Sequence, residues 1–261
     1  RSTLFPYTTL FRSLADSGVA MDQLEIYAPE VIDGLRELAK TGNVEFLTET
    51  YGHSLAALYD PEEFREQIKY HAERIEMLFG QKLIVVRNTE LIYSDEIAEM
   101  VYDMGYRKMI TEGAKHILGW KSPNYVYQAI SQPNLKLLLR NSRFSDDITY
   151  RFSDYSWNEY PLTAEKFISW IAATPKEEKV INLFMNYETL GNLHPAHTGI
   201  FEFMRALPRF AFESGINFAT PNEILDVQKP VAAISVPNVI SWADEERDLP
   251  KIGRASCRER V

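Results

Sequence analysis

The chain has one cysteine, Cys257, among its 261 residues. A lone thiol forms neither an internal disulfide nor a thiolate metal cluster, which fits a reducing compartment and removes cysteine chemistry. Long apolar runs are missing too. No stretch of about 18 apolar residues is present to span a bilayer, and no charged segment followed by an apolar one marks a secretory signal. A cytoplasmic protein without a membrane partner is the expectation. The five histidines are scattered. With no HExxH, no histidine pair at ligand spacing and no Asp/His cluster, no metal site is expected. The phosphate loop, GxGxxG and GxSxG are absent as well, so nucleotide, dinucleotide and α/β-hydrolase chemistries lose their usual signatures.

What is present suits a globular domain: 45% hydrophobic residues, 25% charged and a net charge of -9. RSTLFPYTTLFRS (1–13) and KIGRASCRERV (251–261) continue no pattern of the body. Both resemble translated sequencing-adapter read-through, so the natural protein is expected within 14–250, truncated at both ends. Setting aside two positive charges from the first segment and a net three from the second takes -9 to -14. A body that acidic repels phosphate backbones, and nucleic acid is not the expected partner.

From about residue 31, short apolar runs alternate with helical patterns, the rhythm of βα units and a parallel sheet. VEFLTET (44–50), LIVVR (83–87), the middle of YRKMITEG (106–113), KLLLR (136–140), KVINLFMNYE (179–188) and INF (216–218) read as strands. Asp60 as N-cap, Pro61 at the first helical position and Phe64, Ile68, Ile75 and Leu78 at helix spacing predict a helix that stops before Gly80. Further helices are expected near 94–104, 163–173 and 197–210, with a capped start at TPNE (220–223). The segment 141–161 reads as a long loop rich in aromatics and acids.

The strands end in polar side chains: Glu49 and His53, Arg87 and Glu90, Glu112, Arg140, Asn186 and Glu188. In parallel α/β folds, sites are built at the C-terminal strand ends, so these residues are expected to share a cleft. Each also has a bland reading. Glu112 caps the next helix, Arg87 and Glu90 form a structural ion pair, and His53 is a satisfied surface histidine. Trp120, Tyr125, Tyr155 and Trp157 lie in connections, where flat rings either stack on sugars or anchor loops.

FLTETYGHSL (46–55), VVRNTELIY (85–93), MITEGAKHILGW (109–120), LLLRNSRFSDDITYRF (137–152), LFMNYETLG (183–191), HTGIFEF (197–203) and ISWADEERDL (240–249) together resemble the α-amylase group of glycoside hydrolase family 57. The resemblance implies an incomplete (β/α)7 barrel of the glycoside hydrolase/deacetylase type. It implies a retaining hydrolase or transglycosylase acting on α-1,4-glucans without a cofactor. It assigns the nucleophile to Glu112 and the general acid to the position of Asn186, where the family pattern DYETFG has Asp. Leu190, Asn192 and Leu193 also depart from that pattern. Candidate substrate contacts within or beside these motifs are His53, Arg87, Glu90, Trp120, Asp147, Trp157, Glu188, His194 and Trp242.

An amide cannot release the proton that a departing glycosidic oxygen needs, and loss of general acid catalysis costs about 10²–10⁴ in rate. Two readings stay open: an impaired α-glucan hydrolase or transglycosylase, and a non-catalytic α-glucan-binding relative. A polysaccharide deacetylase shares a related barrel but needs the metal site this sequence lacks.

Overall fold

The structure is a computed structural model that describes residues 12–243. The segment 251–261, with Cys257, and residues 1–11 lie outside the described residues, as does most of ISWADEERDL. Arg12 and Ser13, expected to belong to the foreign N-terminal segment, lead into the first strand.

That strand, β1 (Ser13–Leu14), pairs in parallel with β2 (Glu45–Phe46), and Thr48 continues β2 into a bridge with Val86 of β3 (Val86–Arg87). β3 pairs with β4 (Lys108–Glu112), and β4 with β6 (Lys136–Arg140), all parallel. The result is an open arc of parallel strands, an incomplete (β/α) barrel. Buried on both faces, these strands read as continuous apolar runs rather than alternating ones. β5 (Val126–Ala129) departs from the expected parallel rhythm: it pairs antiparallel with β6 and parallel with β7 (Ala233–Ile234).

Helices cover the outside. α1 (Gly18–Tyr27) and α2 (Pro29–Lys40) follow β1. After α3 (Ala56–Tyr59), α4 (Pro61–Phe79) starts as expected, with Asp60 accepting from the amides of Glu62 and Glu63. It stops at Gly80, whose φ of 69° a side chain would disfavour. α5 (Asp95–Asp103) takes its cap from Ser94. The short α6 (Lys115–Leu118) follows Ala114, whose side chain offers no cap. α8 (Ala164–Ala172) and α9 (Ile200–Glu213) pack on one another around Phe167, Ile168, Phe203 and Leu207. α10 (Pro221–Val227) opens with the capping box of Thr220 and Glu223 that TPNE foretold.

Three expectations are corrected. The first half of the expected loop 141–161 is a helix, α7 (Ser142–Thr149), capped by Asn141. Its residues from Phe144 to Thr149 are all buried, polar ones included, so it shows no apolar stripe to betray it. KVINLFMNYE is no regular strand; it touches β6 through one bridge, Arg140 to Asn182, and ends in a 3₁₀ turn at Tyr187–Thr189. INF (216–218) carries no strand.

Candidate active site

The C-terminal ends of β2, β3, β4 and β6 bring two charged groups together at the rim. In the first, Arg87 Nη1 lies 2.6 Å from Glu49 Oε2, and both side chains are buried. His53 bridges two acids: Nδ1 is 3.3 Å from Glu49 and Nε2 is 3.2 Å from Glu90. Trp242 donates its indole N–H to the other oxygen of Glu90, and its backbone amide bonds the Glu90 carbonyl at 3.2 Å. The expected pairing of Arg87 with Glu90 is thus replaced: the ion-pair partner of Arg87 is Glu49, which lies across from it on the neighbouring strand.

The second group is centred on Arg140. Its guanidinium meets Glu112 at 3.1 Å and Asp146 on α7, while Nε donates to the Phe184 carbonyl at 2.8 Å. The other Glu112 oxygen accepts from the Gly113 amide at 3.0 Å. Gly113 is required by close approach: a Cβ there would sit 2.5 Å from the Arg140 carbonyl oxygen. Trp242 links the two groups, with the Arg87 guanidinium 5.5 Å and the Arg140 guanidinium 5.7 Å from its ring.

The electrostatics follow from these contacts. Burial opposes the charge of Glu49, yet the hydrogen bond from His53 and the charge of Arg87 hold its carboxyl below the usual range. For Glu90 the His53 bond is the largest influence, and with Trp242 it outweighs burial to lower the carboxyl as well. The same bonds to Glu49 and Glu90 raise His53 to about 9. At neutral pH the first group is therefore two carboxylates, an imidazolium and a guanidinium.

The backbone here is strained. His53, Glu90 and Leu91 have φ of 51°, 54° and 52°, and they are the non-glycine residues with positive φ among the described residues. Such conformations cost of order 1–3 kcal/mol each and cluster at functional sites.

Glu112 and Glu90 differ in access. The Glu112 side chain is 6% exposed, whereas that of Glu90 is 39% exposed. The first group reaches a cavity of about 380 Å³ through Arg87, which walls it with Asn182, Phe184, Asn186, Tyr187 and apolar side chains of α8 and α9; Glu90 and Glu112 do not line it. Among the described residues, Arg87 Nε and Asn182 Nδ2 are buried donors with no hydrogen-bond partner. Both suit an incoming hydroxyl or carbonyl oxygen. Asn186 is exposed at this wall, with Glu188 one 3₁₀ turn on and also exposed.

The remaining candidates lie apart from this constellation. His194 is buried with both ring nitrogens engaged: Ser153 Oγ lies 2.7 Å from Nδ1, and Nε2 lies 2.9 Å from the carbonyls of Ile148 and Thr149. Burial lowers its pKa, as suits a neutral ring that pins α7 to the 190–194 turn. Asp147 is paired at 2.6 Å with Arg151, so it is the neighbouring Asp146 that joins Arg140. Trp157 packs edge-on against Trp170 at 6.1 Å. Trp120 is 92% exposed on the connection that follows α6.

Asp16 was not foreseen. It lies on the connection from β1 to α1, where its Oδ2 accepts from Tyr187 Oη at 3.1 Å and its carbonyl lies 2.8 Å from His71 Nε2. Burial pushes its carboxyl up to about 6, with Glu49 adding to the rise and Tyr187 and Arg87 opposing it. No motif or periodicity marks this residue. Among the described residues no group of three or more His, Cys, Asp or Glu side chains is arranged to hold a metal ion, and no helix is long and apolar enough to cross a membrane.

Comparison with known proteins places the chain in a family. Residues 7–237 match the model of glycosyl hydrolase family 57. A Methanocaldococcus jannaschii protein named "Putative alpha-amylase" is 47% identical over 237 residues, covering 89% of this chain and 50% of that one. The chain thus spans about half the length of the curated relative it matches. Among solved structures, a 4-alpha-glucanotransferase from Thermococcus litoralis superposes with a TM-score of 0.72 at 17% identity, over 90% of this chain and 36% of the other. An exo-type maltose-forming amylase from Pyrococcus sp. ST04 also gives 0.72, at 14% identity, over 92% and 43%. At such identities the two structures speak for the fold.

Proposed function

The chain belongs to glycosyl hydrolase family 57, and from that premise we propose that its rim cleft binds α-1,4-glucans and acts on them by a retaining mechanism. The observation that carries this reading is the convergence of Glu49, His53, Arg87, Glu90 and Trp242 at the strand ends, with Arg87 also walling the cavity and Trp242 joining the group to Glu112 and Arg140. Ionised carboxylates beside an aromatic ring and unpartnered donors match what a sugar ring offers: apolar faces and a rim of hydroxyls. The named activities of the relatives, amylase and glucanotransferase, fall in the same substrate class.

A retaining glycosidase attacks the anomeric carbon with one carboxylate and protonates the leaving oxygen with another. The resemblance assigns the attack to Glu112. Access favours Glu90: both carboxylates have their two oxygens engaged, but Glu112 is buried whereas Glu90 is partly open and held ionised. We therefore assign the attack to Glu90 and give Glu112 the task of fixing Arg140 beneath Trp242. His53 and Trp242 orient the attacking carboxylate.

Asn186 supports the second reading, a glucan-binding relative without turnover, since an amide stands where the resemblance puts the acid. The experiment compares α-glucosyl fluoride, whose leaving group needs no proton, with maltooligosaccharide. Turnover of the fluoride supports the enzyme reading; glucan binding with no turnover of either supports the binding protein. Asn186→Asp is expected to raise cleavage of the natural glucan.

A further inference from the structure

We propose that Asp16 is a proton donor of this site, supplying the acid that Asn186 lacks; the inference rests on the glycosidase reading above. Four elements meet around it. Asp16 follows β1, on the rim where β2 delivers Glu49 and β3 delivers Arg87. Its carboxyl is one hydrogen bond, 3.1 Å, from the side chain of Tyr187, the residue next to Asn186. Its backbone is fixed from α4 by His71 Nε2 at 2.8 Å. Nδ1 of the same ring lies 3.4 Å from the Glu49 amide, which donates to it, so one neutral imidazole ties the Asp16 loop to the Glu49 strand end.

The charged and titratable groups facing Asp16 are Glu49, Arg87 and Tyr187. Its environment keeps the carboxyl protonated into mildly acidic solution, at about 6 rather than 3.8, mainly through burial. A carboxylic acid poised near the working pH is what general acid catalysis uses. Tyr187 holds Oδ2 and leaves Oδ1 to carry the proton.

The step balances without a co-reactant. As Glu90 forms its bond to the anomeric carbon, the bond from that carbon to the glycosidic oxygen breaks, and the Asp16 proton passes to the departing sugar hydroxyl. In the second half, the Asp16 carboxylate takes a proton from water, whose oxygen attacks the same carbon, frees Glu90 and restores the acid.

The test uses the chain with maltooligosaccharide, α-glucosyl fluoride and added azide. Asp16→Asn is expected to lose about 10²–10⁴-fold on maltooligosaccharide. Azide, which needs no base, is expected to restore its turnover of the fluoride with release of α-glucosyl azide. In the unaltered chain, cleavage of maltooligosaccharide should fall as pH rises through about 6, a limb absent with the fluoride; this measurement stands even if the variant fails to fold. Equal activity of variant and parent on maltooligosaccharide overturns the proposal. So does turnover of the fluoride by the parent with none of the glucan, which leaves the glycosidase reading intact. Inertness of the parent toward both substrates sinks that reading, and this inference with it.

Discussion

Arg140 Nη1 lies 3.1 Å from Glu112 Oε2 at the ends of adjacent parallel strands, both side chains buried, and the same guanidinium also holds Asp146. Removing it takes the cationic partner from two buried carboxylates. Breaking a buried ion pair from one side costs about 3–5 kcal/mol. Arg140→Ala should therefore lower the denaturation midpoint by that order in urea unfolding, with the slope unchanged; a loss under 1 kcal/mol would show that water already reaches the pair.

Gly113 gives a second stability prediction. A methyl at this position meets the Arg140 carbonyl oxygen at 2.5 Å, and backbone cannot swing aside as a side chain does. Gly113→Ala should cost about 1–3 kcal/mol, read from the same unfolding curves. A neutral outcome would mean that the β4 exit has slack.

His53 predicts a pH dependence. Its folded value is about 9 against an ordinary 6.5, so the stability gained from Glu49 and Glu90 is full below about 6.5 and lost as pH rises through about 9. The drop in melting temperature caused by His53→Gln should be larger at pH 6 than at pH 9.5. A pH-independent drop would locate the effect in packing instead.

Asp16 predicts a slope elsewhere on the pH axis. Its folded value is raised, so the folded chain binds the proton more tightly than the unfolded one, and stability falls as pH climbs from about 3.8 to about 6. Asp16→Asn removes that slope. The variant should gain about 1–3 kcal/mol relative to the parent at pH 7 and nothing at pH 3, measured by urea unfolding at each pH. A loss at pH 7 would mean that the carboxylate is held more favourably than its burial implies.

Where local chemistry decides an element, the sequence announces it. Asp60, Pro61 and Gly80 bound α4, and Thr220 with Glu223 opens α10, because caps act through near neighbours. The rim was readable for the same reason: β2, β3, β4 and β6 end in Glu49, Arg87, Glu112 and Arg140, and parallel pairing sets those ends side by side. Partner choice was not readable. Whether Arg87 meets Glu49 or Glu90 depends on strand neighbours and on a turn with positive φ, which no spacing rule encodes. α7 was hidden because its polar residues are buried by tertiary contacts, and His194 turns inward for the same cause. The apolar run at 180–185 mimics a strand, but its side chains face the cavity and its backbone makes a single ladder bridge. Asp16 left no trace at all, since its partner Tyr187 is far along the chain.

The most direct test is covalent trapping. A 5-fluoro-α-glucosyl fluoride, turned over slowly by a retaining site, should add one glycosyl mass to the chain, and peptide mapping should place it on Glu90, with Glu90→Gln abolishing the label. A label on Glu112 would return the attack to the buried carboxylate. No label on any rim carboxylate, in a chain that binds maltooligosaccharide, would contradict the account.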